Sequence, residues 1–575
     1  MKPLFKSRRE SFSRDFYRPQ CPVIAAPVVI TECDLIYEPG AFPPPQNLII
    51  HVGTVFSGED AECLYSILDA TRNVFPIIYL DSAEIIPAVV SFLESNRVYD
   101  VGLCGSFDKP ALLRKAYELA PYAHIIADCR GIKLPEDIAS LPGMLSRRQA
   151  TSVILDMADA MPDTVHALEQ RFIHVISDCR DAADGEQLLT EATSAVYGVN
   201  GIITDDPASL YVTLSRFPEN TFLRRRNLVG HKGFQNDGTY SENTISGVVA
   251  AGDAHLDGAE IDVKLSGDGV AMVMHSLDTR GMFDVEPPLV TELADFDKLS
   301  SLRRIKHPNE GVDRFDDLMF AMADYPETPV VIELKPRACY HRLDEMVDFT
   351  KELLKDERCQ KNPVVIFGAD NIPDCKYIRK HLPSLPFAAV TAPPKNFKVP
   401  VTRKECEDLL YAVTAAHEGL ASAYNPEDTG ISRTFNEYAK IRHLTVFPWS
   451  RSWILAPSLW ETNGPKNDKT FMAGYDAWTT DHAEMYLDLP VGLEISSVAP
   501  DDDEIIRPEG LIVYRDGSTR AVSCGLCIID GDVTLTRVSG GYKVSPGTFT
   551  AVLTYRSELH FGDYFYTVSE PFTFD

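Results

Sequence analysis

The stretch from Leu228 to Ser276 decides the fold of the chain, and it reads LVGHKGFQNDGTYSENTISGVVAAGDAHLDGAEIDVKLSGDGVAMVMHS. An apolar run ends at His231, a helical segment follows, and a second apolar run carries Glu260 and Asp262 before the chain returns to His275. Residues i and i+2 of an extended strand project to the same side, so Glu260 and Asp262 present two carboxylates together. The pattern predicts a strand–helix–strand unit with polar groups at the strand ends, and adjacent carboxylates favour a hard cation.

A second group of charges follows the run Val330-Val331-Ile332, which is typical of a buried strand in a parallel sheet. Glu333 and Lys335 stand directly after this run and project to one side of the strand. In a barrel of alternating strands and helices, catalytic residues emerge from the carboxyl ends of different strands. We therefore expect Glu333 and Lys335 to meet the carboxylates of the Leu228 to Ser276 stretch at that end of a barrel.

Five short motifs agree in type, order and approximate spacing with those of one family. The chain resembles the glycerophosphodiester phosphodiesterase family, whose members are TIM barrels of the PI-PLC-like phosphodiesterase type, through His231-Lys232-Gly233, Ser241-Glu242-Asn243-Thr244, Glu260-Ile261-Asp262, Met274-His275-Ser276 and Glu333-Leu334-Lys335. The resemblance covers residues 227–489 and implies hydrolysis of a glycerophosphodiester to glycerol 3-phosphate and an alcohol. In the family the first nucleophile is commonly the glycerol 2-hydroxyl, and water then opens the resulting cyclic phosphate.

The resemblance also implies roles for individual residues, and the direction of proton transfer between the two histidines stays open. It implies one divalent cation, Mg²⁺ or Ca²⁺, because oxygen-only ligands favour these ions over zinc. The implied site comprises catalytic His231 and His275, metal ligands Glu260, Asp262 and Glu333, phosphate- or substrate-binding Lys232, Lys335 and Trp449, and supporting Glu242 and Asn243.

Each of these residues also has a purely structural interpretation. His231 can be a buried core histidine, and Lys335 can serve only to neutralise Glu333 as an ion pair. Ser241 or Asn243 can cap a helix. The presence of His231 and His275 together favours the acid–base interpretation, because phosphodiester cleavage needs one proton removed and one donated.

Three positions depart from the family pattern. Lys232 stands where arginine is usual, Ser241 replaces proline, and Ser276 follows the second histidine where aspartate is common. None of these changes removes an essential type of charge. Lysine contacts phosphate as a point charge whereas arginine binds it through a bidentate fork, so the preferred substrate stays open.

Length and composition limit the class of protein. The chain has 575 residues, which exceeds a single hydrophobic core, so several domains are expected. Its 45% hydrophobic and 24% charged residues are ordinary for a globular protein, and no apolar run reaches the length of a membrane span. The balance of 55 Lys+Arg against 84 Asp+Glu gives a net charge of −29, which disfavours nucleic acid and anionic membrane surfaces as partners.

The N-terminal segment and the cysteines indicate the compartment. The apolar segment from Cys21 to Ile30 is interrupted by prolines and lies too far inside the chain for a standard signal peptide. The 12 cysteines are scattered mostly singly, which favours a reducing compartment over a disulfide framework. Cys524 and Cys527 form a CxxC pair without a second pair for zinc, so we favour an ordinary strand there. We expect a cytoplasmic protein.

Internal repeats indicate two barrels in tandem. Three pairs of segments align, namely Gly198 to Asp205 with Gly474 to Asp481, Gly102 to Ser106 with Val365 to Ala369, and Asn47 to Gly53 with Asn227 to Gly233. We infer two copies of one barrel fold. Only one helix-length segment separates Gly53 from the next strand at Pro76, so we expect the first copy to lack its ligands and to hold about seven strands. An unrelated α/β domain is the alternative.

The second copy has eight strand candidates, which alternate with helices such as Leu343 to Leu354 and Cys406 to Ala416. The segment from Asp278 to Glu327 is longer than a simple connection and contains a helix-like run, Phe315 to Met322. The candidate strands are Leu228 to His231, Ala259 to Val263 with the hairpin return Val270 to His275, Val330 to Leu334, Val364 to Phe367, Phe387 to Val390, Ala421 to Tyr424, Leu444 to Phe447 and Ala477 to Thr480.

The predicted fold class is α/β, with two tandem (β/α) TIM-type barrels and a small C-terminal antiparallel β-sandwich of Ig-like type. The sandwich is predicted from short alternating runs such as Gly510 to Tyr514 and Gly547 to Tyr555, with Asp-Gly and Gly-Gly turn signals between runs. The predicted domains are an N-terminal tail or linker (1–46), a degenerate non-catalytic barrel (47–222), a complete catalytic (β/α)8 barrel (223–489) and the sandwich (490–575).

Two other functions stay open beside diester hydrolysis. A lyase of the sphingomyelinase D type shares the barrel and stops at a cyclic phosphate, but it generally lacks the signature present here as Glu242-Asn243-Thr244. A scaffold that binds a phosphodiester without turnover is the alternative of a different class. The expected partner is a small-molecule glycerophosphodiester, and self-association through the N-terminal barrel or the C-terminal sandwich is a further expectation.

Overall fold

The computed structural model describes most of the chain. The described residues are 2–36, 43–183, 186–236, 238–335, 342–361, 364–368, 372–391, 402–408, 411, 423–426, 432–449, 474–556, 564–568 and 572–574. A short helix α1 (Arg8–Phe12) and a short strand β1 (Val23–Ile24) precede the first large sheet.

Eight parallel strands form a closed barrel, which we call the first barrel. Its interior is filled largely by isoleucine, a branched residue that suits the layered centre of such a barrel. The strands are β2 (Val28–Asp34), β3 (Asn47–His51), β4 (Phe75–Tyr79), β5 (Gly102–Ser106), β6 (His124–Asp128), β7 (Ser152–Asp156), β8 (His174–Asp178) and β9 (Gly201–Ile203).

The first strand of this barrel lies in the segment that the sequence assigns to a tail. Strand β2 pairs with both β3 and β9 and closes the ring, so the barrel has eight strands rather than about seven. The pattern conceals β2 because prolines precede it and its second half, Thr31 to Asp34, is polar. That polar half lies at the carboxyl end of the barrel, where polar side chains have partners.

Helices cover the outside of the first barrel, and their starts are encoded locally. Proline occupies the first turn of five of them, where its missing N–H costs nothing, and Ser57 with Asp60 forms a capping box at the start of another. The helices are α2 (Gly58–Ala70), α3 (Ile86–Ser95), α4 (Pro110–Leu119), α5 (Leu141–Arg147), α6 (Pro162–Glu169), α7 (Gln187–Val196) and α8 (Pro207–Ser215).

After the short strand β10 (Thr221–Phe222), the chain forms a second sheet of eight parallel strands and one antiparallel strand, which we call the second barrel. Its edges meet where Trp449 bridges Thr479 and the Thr479 N–H donates to the Pro448 carbonyl at 3.0 Å. The strands are β11 (Asn227–Gly230), β12 (Gly258–Leu265), β13 (Ala271–Val273), β14 (Val330–Leu334), β15 (Val364–Gly368), β16 (Phe387–Thr391), β17 (Ala423–Pro426), β18 (Thr445–Val446) and β19 (Ala477–Thr480).

The strands of the second barrel lie at the predicted places. The predicted strand Ala421 to Tyr424 and the predicted helix Cys406 to Ala416 fall partly outside the described residues. The described helices are α9 (Ile245–Asp253), α10 (Phe296–Ser300), α11 (Phe315–Ala321), α12 (Leu343–Leu353), α13 (Glu357–Lys361), α14 (Ile372–His381) and α15 (Arg433–Ile441).

Strand pairing corrects one of the three sequence repeats. The last strands β9 and β19 pair with the first strands β2 and β11 in the same way, because Gly201 faces Val28 and Ala477 faces Asn227. Strand β3 is therefore second in its barrel and corresponds to β12. The alignment of the Asn47 segment with the Asn227 segment is wrong, because similar apolar runs occur in every buried strand of a parallel sheet.

The C-terminal segment consists of antiparallel sheets with a shared apolar core. One of these sheets also takes in β10 and β1, so the region around Thr221 is part of a sheet rather than a free linker. The strands are β20 (Gly492–Ser497), β21 (Glu509–Val513), β22 (Thr519–Ser523), β23 (Gly525–Asp530), β24 (Leu535–Val538), β25 (Gly541–Val544), β26 (Gly547–Tyr555), β27 (Tyr564–Val568) and β28 (Phe572–Phe574).

The two barrels meet at the amino ends of their strands, which we call their bases. Arg442 follows α15 and is fully buried, and it donates two hydrogen bonds to Asp100 of the first barrel at 2.8 and 3.0 Å. Asn47 Nδ2 lies 2.8 Å from His443 Nε2. A buried charge needs a partner of opposite sign, so each base depends on the other barrel.

Two further features concern the chain as a whole. None of the helices within the described ranges is both long and apolar enough to cross a membrane. The cysteines in the same ranges are all free thiols, and Cys527 directs its Sγ at the Arg216 carbonyl at 2.9 Å.

Candidate active site

Three carboxylates converge at the carboxyl ends of β12 and β14. Glu260, Asp262 and Glu333 each offer one oxygen atom, and these atoms all lie within 4.8 Å of one another. Asp262 and Glu333 are direct neighbours across the parallel pair of strands, and every residue of β12 is buried. The sequence alternation therefore predicts this convergence correctly.

The three carboxylates repel one another in a buried setting. Burial first, and then the charge of Asp262, raises the pKa of Glu260 to about 8. Burial also raises the pKa of Glu333. Burial opposes ionisation of Asp262 as well, but Lys335, His275 and Lys232 outweigh it and lower its pKa. Two of the three carboxylates are thus destabilised in their ionised form.

Two lysines contact the acidic cluster from different sides. Lys335 Nζ donates to Glu333 Oε1 at 2.6 Å and lies 3.2 Å from Asp262 Oδ1. Lys232 Nζ donates to Glu242 Oε2 at 3.1 Å, while the Lys232 N–H donates to Glu260 Oε2 at 2.8 Å. The structure therefore contains the predicted ion pair between Lys335 and Glu333, and a phosphate contact by the same ammonium group stays a prediction.

His231 is held in place by a carboxylate from the last strand. Its Nδ1 lies 2.6 Å from Asp481 Oδ1, and its Nε2 lies 3.9 Å from Glu260 Oε2. Burial would lower the pKa of His231, but the contact with Asp481 and the charge of Glu260 together raise it. The ring thus stands between an orienting carboxylate and the acidic cluster.

His275 follows β13 and lies near enough to Asp262 for their charges to interact. It is exposed and lines an open pocket of about 680 Å³ together with Lys264 and Lys335. Neighbouring protein atoms exclude part of the water around its ring and lower its pKa, and the charges of Lys232 and Lys335 lower it further against the opposing charge of Asp262. The two predicted histidines therefore differ in environment, because one has a carboxylate at hydrogen-bond distance and the other borders an open pocket beside two lysines.

The predicted supporting residues shape the turn after β11. Asn243 Nδ2 donates to Asp262 Oδ2 at 2.9 Å, and its Oδ1 accepts from the Asp262 N–H at 2.9 Å. Its backbone φ of 54° lies in the left-handed region, which asparagine tolerates better than most residues. Helix α9 is capped instead by Thr244, which accepts from the Gly247 N–H, so the capping role predicted for Ser241 or Asn243 is wrong.

Trp449 completes the site from the segment after β18. Its ring centroid lies 6.4 Å from that of His231, with the two planes tilted by 34°. All ten predicted site residues therefore gather at one end of the second barrel. Their roles in binding or turnover stay predictions.

Two residues of the site are absent from the sequence prediction. Asp481 is the last residue of the repeated segment Gly474 to Asp481, and its partner His231 lies 250 positions away, so only its place at a strand end marks it. Lys264 continues the alternation of Glu260 and Asp262, and its Nζ donates to the Ser276 carbonyl at 3.2 Å. An extension of the same i, i+2 count would have found it.

The model of the Glycerophosphoryl diester phosphodiesterase family matches residues 231–452. No curated protein matches the chain.

Three solved structures illustrate the similarity. The first, a glycerophosphodiester phosphodiesterase from Parabacteroides distasonis, has 17% identity and a TM-score of 0.33 over 45% of this chain and 94% of its own. The second, an Oleispira antarctica phosphodiesterase in complex with the product sn-glycerol-3-phosphate, has 17% identity and a TM-score of 0.35 over 45% and 95%. The third, named as a putative glycerophosphoryl diester phosphodiesterase from Agrobacterium tumefaciens, has 14% identity and a TM-score of 0.37 over 46% and 97%.

The family match begins at His231, contains all three clustered carboxylates and His275, and ends just after Trp449. The match to the glycerophosphoryl diester phosphodiesterase family, a family of phosphoric diester hydrolases, thus lies within the second barrel and contains the candidate site.

Proposed function

We propose that the second barrel hydrolyses a glycerophosphodiester to glycerol 3-phosphate and an alcohol with the help of one divalent cation. The observation that carries this proposal is the convergence of Glu260, Asp262 and Glu333, with their oxygens within 4.8 Å of one another, in a site that also holds two histidines. Such a combination provides charge stabilisation and proton transfer in one place.

The carboxylates fit a divalent cation by their chemistry. The cluster offers only oxygen donors, which favours Mg²⁺ or Ca²⁺. The raised pKa values of Glu260 and Glu333 indicate that additional positive charge nearby would favour the ionised form of these carboxylates. A bound cation of this kind would supply neutralisation of the negative charge on the reacting phosphate.

We assign proton transfer to His231 and His275. Cleavage needs one group to take a proton from the attacking hydroxyl and another to give a proton to the leaving oxygen. Asp481 fixes the orientation of His231 through its Nδ1, which leaves Nε2 directed into the site. His275 borders the open pocket, where a substrate enters.

Lys232 and Lys335 are the proposed contacts of the phosphate oxygens. Each ammonium group already has a carboxylate partner, and a lysine has three donors, so each can contact a phosphate without losing that partner. The half-buried ring of Trp449 beside His231 offers an apolar wall for the glycerol carbons.

We also infer that the first barrel is a degenerate copy of the second. With β2 aligned to β11, strand register brings Ile49, His51 and Tyr79 to the positions of Glu260, Asp262 and Glu333. Ile49 and Tyr79 offer no carboxylate, so this barrel lacks the predicted ligand set.

Phosphorus NMR of the full-length protein tests the proposed reaction. Glycerophosphocholine, glycerophosphoethanolamine and glycerophosphoglycerol are each incubated with chelator-treated protein, with and without added Mg²⁺ or Ca²⁺. We expect the glycerol 3-phosphate signal to grow only when a cation is present. A cyclic phosphate as the final product would favour the lyase, and no turnover of any diester with either cation would favour a binding scaffold.

A further inference from the structure

The interior of the second barrel has an apolar layer directly beneath the candidate active site. Inward-facing side chains of a strand repeat every second residue, so each residue of this layer lies two positions before a residue of the next layer. The layer contains Val229, Val331, Ala388, Phe447 and Ala477. Two positions further along the same strand segments stand His231, Glu333, Trp449 and Thr479.

One residue of the first barrel completes this layer. Phe172 lies between α6 and β8, is 1% exposed and belongs to the same apolar cluster. Its ring stacks on that of Phe447, with the centroids 4.4 Å apart and the planes 27° from parallel. Within the described part of the chain, the remaining members of the cluster all come from the second barrel. A side chain of the first barrel therefore completes the packing at the base of the second barrel.

The backbone at Phe172 is unusual for an aromatic residue. Its φ of 62° lies in the left-handed region, where a bulky side chain is strained. The turn is a helix C-terminal motif, in which the Phe172 N–H donates to Glu169 and the Ile173 N–H donates to Leu168 at 3.0 and 3.1 Å. Glycine or asparagine is usual at this place. A phenylalanine there needs a compensating contact, and the base of the second barrel provides one.

We propose that Phe172 of the first barrel is a positioning residue for the second barrel, because its ring supports the strand ends that carry His231 and Glu333. This proposal rests on the proposed function only for its kinetic test. Protein interiors are close-packed, so removal of the ring leaves a cavity into which Val229 and Val331 relax. A small displacement of reacting groups then lowers turnover more than binding.

The first test needs no substrate. Phe172→Ala is compared with Phe92→Ala, because Phe92 is also buried in the first barrel and packs against Phe56 of the same barrel. Hydrogen–deuterium exchange is followed in peptides that cover residues 227–233 and 330–335. We expect exchange there to be at least about tenfold faster in Phe172→Ala than in Phe92→Ala. Equal exchange in the two variants would overturn the proposal.

The second test is kinetic. We expect Phe172→Ala to lower kcat by about ten- to a hundredfold while KM changes by less than about threefold, and Phe172→Leu to restore most of kcat. Phe92→Ala should retain the kcat of the wild type. A purely structural role predicts equal losses for both alanine variants, and that result would overturn the proposal.

Two situations need separate readouts. If the wild type cleaves no diester, the proposed function fails, and the exchange experiment alone decides the role of Phe172. If Phe172→Ala does not fold, Phe172→Met replaces it with Phe92→Met as its control, because methionine is unbranched at Cβ and adds no strain at this backbone angle. Unchanged exchange in both peptides of Phe172→Met would overturn the proposal, and faster exchange would support it.

Discussion

The carboxyl ends of the two barrels, which we call their mouths, differ in how their clustered carboxylates are neutralised. In the first mouth, Glu32, Asp128 and Asp178 surround one guanidinium, with Arg130 nitrogens 2.8, 2.8 and 2.7 Å from their oxygens. Arg180 adds a second cation beside Glu32 and Asp178. The first mouth therefore neutralises its carboxylates with side chains of its own.

The second mouth leaves its carboxylates partly uncompensated. Lys335 contacts Asp262 and Glu333, while Glu260 has a pKa of about 8 because burial and Asp262 oppose its ionisation. In the first mouth burial also opposes ionisation, but His51 and the two arginines lower the pKa of Glu32, and the arginines lower that of Asp178. The difference teaches that the supply of cationic side chains, rather than the number of carboxylates, separates a mouth that is neutralised from one whose acidic cluster is partly uncompensated.

The largest effect is expected from Asp262→Asn. This change removes a central ligand of the proposed cation, so turnover should fall by about a thousandfold and calorimetric binding of Mg²⁺ or Ca²⁺ should weaken. Asp178→Asn is the matched control in the first mouth, and its turnover should stay at the wild-type level. Asp262→Asn with turnover within tenfold of the wild type would remove this residue from the proposed ligand set.

The histidines provide the next comparison. His231→Ala and His275→Ala should each lower kcat by about a hundred- to ten-thousandfold, because each removes one of two proton-transfer groups. His51→Ala changes a histidine that contacts Glu32 in the first mouth, and it should leave kcat unchanged. Circular dichroism checks the fold of all three variants. A near-normal rate in either second-mouth variant would exclude that residue from catalysis.

Arg130→Ala tests whether the cationic side chains of the first mouth account for its difference from the second mouth. Without this guanidinium, Glu32, Asp128 and Asp178 lose a shared partner, and removal of one member of a buried ion cluster typically costs about 3 kcal/mol of unfolding free energy. Urea unfolding measures this loss. If the mouths differ by their supply of cations, added Mg²⁺ or Ca²⁺ should recover part of the stability.

The recovery is measured in the Asp262→Asn background, so that cation binding at the second mouth contributes little. Arg72→Ala serves as a control, because the ion pair of Arg72 with Asp69 is exposed and lies outside the first mouth. Equal responses of Arg130→Ala and Arg72→Ala to the cations would contradict the comparison.

The acidic cluster was predictable from sequence because it depends on local regularities. Glu260 and Asp262 obey the two-residue repeat of a strand, and Glu333 follows a run of three branched residues that identifies a buried strand. The carboxyl ends of parallel strands meet at one end of a barrel, so strand identity was enough to bring these residues together.

Other features depend on contacts that no local pattern records. Strand β2 was missed because Glu32 is neutralised by arginines that follow strands far along the chain. Asp481 reaches His231 across 250 positions, and Phe172 fills a base that belongs to the other barrel. Such residues are recognisable only when the partner element is known.

Acid unfolding of the metal-free protein should reveal the smallest effect, a contrast between two buried histidines. Burial lowers the pKa of His124 in the first base to about 4, and this loss outweighs the attraction of Asp100. The folded state then binds fewer protons than the unfolded state between pH 6.5 and about 4. The protein therefore loses about 3 kcal/mol of stability in total as the pH decreases across this range. For His231 the pKa is raised instead, so its contribution is present at acid pH and is lost as pH rises. His124→Gln should therefore shift the acid unfolding midpoint to lower pH, whereas His231→Gln should shift it to higher pH, and shifts in the same direction would contradict the assignment of the two environments.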